Sequence, residues 1–468
     1  MSAEPGAPTS SDVQERLLTG WGRTAPTRAR IASPSAPGEV AAILGRPPVR
    51  GAIARGLGRS YGDAAQNAGG TVIATRGLAA PAELDSATGR VRVAAGTSLG
   101  ELIADVLPRG WFPAVVPGTQ YVTIGGAVAS DVHGKNHHRD GSFCEHVHAI
   151  ELAVPSGARL ALTPDGPDAE AFWATAGGMG LTGVTLSAEL QLRPVVSARM
   201  RVDTTRTRDL EESMRVLGEA DATAQYTVAW VDLLARGAAL GRGVVTAGEH
   251  ATAADIVPTG NGVDVPPNRR LASVPAMPGR SGVLHPGAMR LFNELYFRRA
   301  PSEQHRGLEP VWGYFFPLDV VGDWNRLYGR AGLLQHQFVI PDAAADRLIP
   351  MVERLVGSGV PVYLAVLKRL RDVRGPIAFP LRGWTLALDI PAGAPGLAAA
   401  LDRLDEQVAD CGGRVYLAKD ARLRPDLVAA MYPRLPEWRA VRDRLDPGVV
   451  MRSDLDRRLS LVAPPPRT

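Results

Sequence analysis

Three glycine-dense stretches, "ARGLGRSYGD" (54–63), "PGTQYVTIGGAVASDVHGKNHHRDGSF" (117–143) and "FWATAGGMGLTGVT" (172–185), limit what this chain can become. Each adjoins a short run of alternating Val, Ile and Leu, where glycine lets strands turn sharply and backbones approach closely. Around them "RGAIARGLG", "GGTVIAT", "GRVRVAAG", "HAIELAVPSGARLALTP" and "LTGVTLSAELQLRP" read as strands, and "SLGELIADVLPRG" as a helix. The pattern predicts an α+β fold with a glycine-rich interior. In the first stretch Gly56, Gly58 and Gly62 suit a backbone that approaches an anion. Its third glycine is displaced from G-x-G-x-x-G, and it is no G-x-x-x-x-G-K-[ST] loop. Two readings stay open: a pyrophosphate-binding turn with Arg59 as counter-charge, and a tight hairpin. In the second stretch Thr119, Thr123, Ser130 and Asn136 can hydrogen-bond a flat heteroaromatic ring; the third adds Trp173.

The 468 residues suffice for two domains. The texture changes after "LRPVVSARM", near residue 195. A Pro/Gly/Arg-rich stretch, 257–289, reads as a mobile loop. Then "LLQHQFVIP", "AAADRLIPMVERLVGSG" and "PVYLAVLKRL" give strand–helix–strand. "GWTLALDIP", "GLAAALDRLDEQVADCGG" and "RVYLAKDARL" repeat it. That doubling predicts an antiparallel sheet with helices on one face, the ferredoxin-like arrangement. The remainder reads as helical, broken at Asp446-Pro447. The first dozen residues read as a disordered tail with neither a basic nor an apolar region of a secretion signal. No apolar run reaches the length of a membrane span. Two cysteines, Cys144 and Cys411, form no disulfide framework and fit a reducing compartment. Together these features lead to the expectation of a cytoplasmic chain.

Of 52 basic residues only Lys135, Lys368 and Lys419 are lysine. In a chain that otherwise uses arginine, a lysine marks either chance survival on the surface or a position needing a compact ammonium of adjustable pKa. Five of nine histidines lie within 133–148. His133 and His137 have the spacing of a helical metal pair, but Gly134 disfavours a helix and no further ligand follows at a useful spacing, so no metal is expected. His146 and His148 read as structural. The net charge of +4, without basic–aromatic interleaving, gives no sign of nucleic acid.

"RGLGRSYGDAAQN", "PGTQYVTIGGAVASDVHGKNHH", "FWATAGGMGLTGV" and "DPGVVMRSDLDRRL" resemble the FAD-linked oxidases of the vanillyl-alcohol-oxidase type. "LTGWGRTAP", "HGKNHH", "WNRLYG", "LQHQFVIP" and "YLAKD" narrow the resemblance to the decaprenylphosphoryl-ribose 2′-oxidase family, over residues 18–461. The resemblance implies a two-domain fold: an FAD domain of 1–197 completed by 414–468, and an antiparallel-sheet substrate domain of 198–413. It implies non-covalent FAD held by Ala54, Arg55, Gly56, Leu57, Gly58, Arg59, Ser60, Tyr61, Gly62, Asp63 and Ala64 around the pyrophosphate. Gly118, Thr123, Ile124, Gly125 and Gly126 would continue the cleft. His133, Gly134, Lys135 and Asn136 would face the flavin, Thr185 the adenine side, and Tyr416 would close over. Lys135, Trp230, Gln335, Gln337, Lys368, Asp389 and Lys419 would meet the substrate, with Lys419 catalytic, either as a base or as a charge that stabilises an alkoxide. Attachment of FAD through a histidine is the second reading.

The activity so implied is oxidation of the C2′ hydroxyl of a polyprenylphosphoryl-β-D-ribose to the 2′-keto sugar. This is the first half of an epimerisation that makes the arabinose donor of actinobacterial cell-wall arabinan. It implies a separate NAD(P)-dependent short-chain reductase as partner and peripheral contact with the membrane at the cell envelope. Two alternatives stand beside it: an alditol or lactone oxidase of the same fold that uses oxygen, and a non-catalytic flavin-fold binding protein. The chain departs from its relatives at Thr385 and Ala387, where many have an Asn and a Cys, at His336 in place of Tyr, and in "GYFFPLD" (313–319), expected at the substrate entrance.

Overall fold

The computed structural model describes residues 14–46, 48–256, 263–268, 270–277 and 279–463. The N-terminal tail expected from the sequence lies outside these residues. Two sheets build the glycine-rich part. Gln14–Leu18, Thr27–Ala32, Thr71–Ala74 and Ala52–Arg55 form the first, with Thr71–Ala74 parallel to both its neighbours. The second is antiparallel and centres on Val184–Pro194, which pairs with Arg90–Ala94, Val147–Ala153 and Trp111–Pro113. Alternation places Val91, Val93, Ile150 and Leu152 inside, where they join Val72 and Ile73 of the first sheet in one core.

The third sheet has eight strands, all antiparallel. Across it run His305–Pro310, Arg199–Thr207, Gly243–His250, Tyr226–Val231, Leu364–Leu370, Gly383–Pro391, Leu333–Pro341 and Arg414–Val415. The last four are the ferredoxin-like unit expected from the sequence. The first four are a second such unit. Numbered along the chain within each unit, the orders are 4-1-3-2 and 2-3-1-4, joined through the pairing of Trp230 with Val366. The first unit is hard to read in the sequence because 54 residues (251–304) separate its third strand from its fourth. Within that insertion, the described parts of 257–289 hold a two-residue strand, Ala272–Ser273, and the start of a helix, Pro286–Arg299.

One face of this sheet carries the helices Leu210–Asp221, Leu348–Gly357 and Leu397–Asp410. Leu217, Met351, Leu355, Leu401 and Leu404 are buried there against the sheet, in the same core as Phe338, Leu386 and Leu388. Because side chains alternate along a strand, Gln335, Gln337, Ala387, Asp389 and Lys368 share the opposite face. His336 points into the helix layer, its Nε2 3.1 Å from Asp405 Oδ1. That departure from the family therefore lies behind the sheet, remote from the substrate face.

The large sheet begins at Arg199 and its last strand ends at Val415, after which the chain returns to the glycine-rich part. Trp438 Nε1 donates to Ala174 O (2.9 Å), and Met451 bridges Ala52. The helix Leu435–Leu445 stops at the break expected there, and Asp446 organises the turn. Its carboxylate accepts from Val450 N (2.9 Å) and Met451 N (2.7 Å) and pairs with the fully buried Arg442 (2.5 Å).

Candidate active site

The strand Ala52–Arg55 delivers its loop between two backbone walls. Trp21 N and Gly22 N donate to Ser60 O (2.7 Å) and Tyr61 O (3.0 Å); Tyr61 N donates to Ala418 O (3.0 Å). A Cβ on Gly56 would overlap Thr123 Oγ1, and one on Gly62 would overlap the Asp420 carbonyl. Glycine is needed at both. Arg55 turns behind the loop, donating to Thr19 O (2.7 Å) and Ala65 O (3.0 Å), while Asp63 pairs with Arg458 (2.8 Å). These two residues brace the loop. Residues 54–61, including Leu57 and Gly58, stay half-buried along its length, whereas Ala64 is buried. Arg59 lies 3.8 Å over the Trp21 ring and 5.0 Å over Tyr121, and burial lowers its pKa.

Opposite, Thr123 caps the short helix Ile124–Ala129, its Oγ1 accepting from Gly126 N (3.2 Å), and Gly125 N donates to Ala95 O (2.9 Å). Gly118 is exposed beside it, with no atom of the chain near its missing Cβ. Thr185 sits at a register shift in the Val184–Pro194 strand. Gly134 packs on the Val116 carbonyl. The Asn136 amide donates to Ala114 O (2.8 Å) and Asp140 (2.6 Å).

The hydrogen-bond network fixes the state of His133. Thr385 Oγ1 donates to Phe338 O (2.8 Å), so it accepts from Gln337 Nε2 (2.9 Å). The other hydrogen of that amide points at His133 Nε2 (3.0 Å). His133 is thus a neutral imidazole that accepts at Nε2 and carries its proton on Nδ1. Burial, with the nearby Lys368 and Lys419 charges, holds its pKa well below the ordinary histidine value. The ring packs beside Tyr416 (5.1 Å) and Phe379 (5.5 Å), and Tyr416 donates to Ser130 O (2.8 Å). His137 accepts from Arg371 N (3.1 Å), and His146 Nε2 lies 3.0 Å from Asp140 O. Among the described residues no cluster of His, Cys, Asp or Glu could hold a metal.

The three lysines converge on this face. Lys135 donates to Tyr314 O (2.5 Å), its ammonium 3.9 Å from the Tyr314 ring centre. Burial takes its pKa down to about 7 and that of Lys368 to about 8. Lys419 reaches over Tyr61 (6.0 Å); burial and then the charge of Lys368 lower it to about 7, against the pull of Asp389. Asp389 accepts from Gln335 Nε2 (2.5 Å), and burial raises it to about 6. Lys368 and Lys419 remain partly accessible, as groups facing a cleft do. Trp230 lies at the rim, 4.8 Å from Tyr296.

Arg59 Nε, His133 Nδ1, Asn136 Oδ1, Gln337 Oε1 and Asp389 Oδ2 are buried without a partner in the chain. Polar atoms so placed call for a polar guest. Glycine walls, a positive loop and a stripe of unpartnered donors and acceptors fit FAD, with a hydroxylated substrate beside it. Sequence reasoning missed several residues that complete the site. Trp21 lies between two glycines, which could have marked it as packed against the loop. Phe379, in the Pro/Gly-rich "RGPIAFPLRG", carries no periodic signal. Tyr314 and Asp319 belong to the 313–319 segment, expected at the entrance. Tyr314, Phe315 and Phe316 are instead buried in a core cluster, and Asp319 accepts from Thr119 Oγ1 (2.8 Å) and Gln120 N (2.7 Å).

Comparison with known proteins identifies the family. Residues 29–163 match the FAD binding domain family. The chain is 39% identical to the decaprenylphosphoryl-beta-D-ribose oxidase of Mycolicibacterium smegmatis over 97% of its own length and 99% of that protein. An uncharacterised Streptomyces coelicolor protein is 40% identical over 78% of this chain and all of its own. The alditol oxidase of a Streptomyces species is 24% identical over 92% of this chain and 96% of that protein.

Proposed function

We propose, from the premise that this chain belongs to the decaprenylphosphoryl-β-D-ribose oxidase family, that it oxidises the C2′ hydroxyl of a polyprenylphosphoryl-β-D-ribose to the 2′-keto sugar. It is an FAD-dependent oxidoreductase. The observation that carries the residue roles is the convergence of Lys419, Asp389, Gln335 and Tyr61 beside the cofactor loop.

Bound FAD supplies the two-electron acceptor for the hydride that leaves C2′. The chain supplies the rest. Loss of hydride from the carbinol needs loss of the hydroxyl proton, and a lysine with a pKa of about 7 is neutral often enough at neutral pH to take it. Lys419 is that base. Asp389 tunes it by favouring its charged form, and Gln335 fixes the Asp389 carboxylate. Lys368, which stays charged more readily, sets the opposing field and offers a positive partner for the sugar phosphate. His133, held neutral, adds no charge to the flavin face, and Gln337 and Thr385 set its orientation. Lys135 is drawn against Tyr314 and positions the loop it leaves.

The keto product requires reduction on the opposite face to complete epimerisation, a step that falls to a separate nicotinamide-dependent reductase. The lipid tail brings the enzyme to a membrane surface. Among the described residues no helix is long and apolar enough to cross one. Anaerobic mixing with a short-chain polyprenylphosphoryl ribose should bleach the flavin, and Lys419→Ala should keep FAD yet slow bleaching by about a hundredfold or more. Rapid bleaching by free alditols with none by the lipid-linked sugar would overturn the substrate assignment. Undiminished bleaching in Lys419→Ala would overturn the base.

A further inference from the structure

Among the described residues, eight of the eleven exposed large apolar side chains fall between 271 and 318, a tenth of the chain's length. Four of them, Leu291, Phe292, Leu295 and Tyr296, lie on the helix Pro286–Arg299, which buries only Asn293. In the first ferredoxin-like unit this helix occupies the crossover between the third and fourth strands, as Leu397–Asp410 does in the second. The second-unit helix buries six residues in the core. The first-unit helix lies on the other face of the sheet. Asn293 donates to Asp232 (2.8 Å) and Tyr296 packs on Trp230 (4.8 Å), at the rim of the substrate side. With Met289 and Phe297 also turned inward, Leu291, Phe292 and Leu295 are left facing water.

Charge surrounds that stripe. From 270 to 300 the sequence holds five arginines and one acid, Glu294, an excess as large as the +4 of the whole chain. Arg290, Arg298 and Arg299 are exposed on the helix itself, and Arg280 just before it. An apolar stripe bordered by cations is the pattern of a helix that lies in the interface of an anionic bilayer, its apolar side chains among the acyl chains and its arginines at the phosphates.

We propose that the outward face of Pro286–Arg299 docks the enzyme on an anionic membrane surface and sets the rim of the sugar pocket against the lipid from which substrate is drawn. The inference deepens the lipid-linked substrate proposed above and rests on it for its purpose. A partner protein would fit the apolar stripe, but the arginine excess at its border, where the one acid Glu294 is taken up by Arg242 and Arg298, favours phosphate headgroups.

The test is co-sedimentation of the FAD-loaded full chain with vesicles of phosphatidylcholine containing phosphatidylglycerol, and with phosphatidylcholine alone. Wild type should bind the anionic vesicles and release them in high salt. Phe292→Ser with Leu295→Ser should weaken binding at least about tenfold, since both side chains are exposed in solution and buried only in lipid. Arg290→Glu with Arg299→Glu should do the same. Both variants should bleach normally with a short-chain soluble substrate, which reads the proposed activity separately. Equal binding to neutral vesicles, binding unchanged in the paired variants, or loss of a self-association or reductase contact in their place would each overturn the docking assignment. Failure of bleaching in wild type would instead strike the substrate.

Discussion

Asp389→Asn is the sharpest probe of the proton path. The carboxylate is buried, one oxygen held by Gln335 and the other without a partner in the chain. It is the acid that favours the charged form of Lys419 against burial and Lys368, which together bring that lysine to about 7. Asparagine keeps the shape and the Gln335 bond but removes the charge. The Asp389 charge raises the Lys419 pKa against those two effects, so its removal should take Lys419 further below 7. The assay is single-turnover flavin bleaching in anaerobic stopped flow from pH 5 to 9. In wild type the rate should rise with pH along a limb near 7, a property of the Lys419–Asp389 pair rather than of either residue. In the variant the limb should move down by at least about one unit. At pH 6 wild type would run at roughly a tenth of its plateau and the variant at a clearly larger fraction of its own. A rate that falls as pH rises through 7 would mean that Lys419 acts charged. A limb that stays in place in Asp389→Asn would refute the coupling.

Gly56→Ala should drive a methyl group into Thr123 and lower the flavin-to-protein absorbance ratio after gel filtration; full occupancy would show that the two walls yield easily. Arg442→Met leaves Asp446 buried and unpaired, at a cost of about 3–5 kcal/mol, read as a lower urea midpoint. A loss under about 1 kcal/mol would remove the turn's claim to hold the C-terminal segment. His133 and His137 have folded-state pKa values well below 6.5, so below that value the unfolded chain takes up protons that the folded chain refuses. Stability is lost as pH falls, by about 1.4 kcal/mol per pH unit for each histidine. His137→Asn should shallow the slope of unfolding free energy between pH 6.5 and 5 by that amount, and an unchanged slope would show that His137 protonates in the folded state.

The parts of this molecule that sequence made legible are those where local chemistry admits one answer. Gly56 and Gly62 stand where a Cβ would strike the opposite wall, and glycine density announced that wall. The lysines were conspicuous because arginine replaces lysine everywhere else in the chain. The unit from 333 to 415 was legible because each helix follows its strand at once. Its twin was not, since the pairing of Arg199–Thr207 with His305–Pro310 spans an insertion whose own sequence has no period. The orientation of His336 needed the register of Leu333–Pro341, which alternation alone leaves ambiguous when both faces are buried. The interior role of Tyr314 and Phe315 depended on contacts with Phe112 and Tyr226, far away in sequence.

The crowding of three lysines has one more consequence. With pKa values of about 7, 7 and 8, the cleft holds a fraction of its possible charge at neutral pH. An anion that settles against Lys368 raises that lysine, which takes up part of a proton from the buffer, while Lys419 keeps the neutral form that a base needs. Affinity for a phosphate-bearing guest is therefore tied to pH, and binding heat should vary with the ionisation enthalpy of the buffer. The guest sets part of the charge around it: an uncharged sugar meets lysines that are only partly charged, whereas a phosphodiester draws Lys368 toward its full charge.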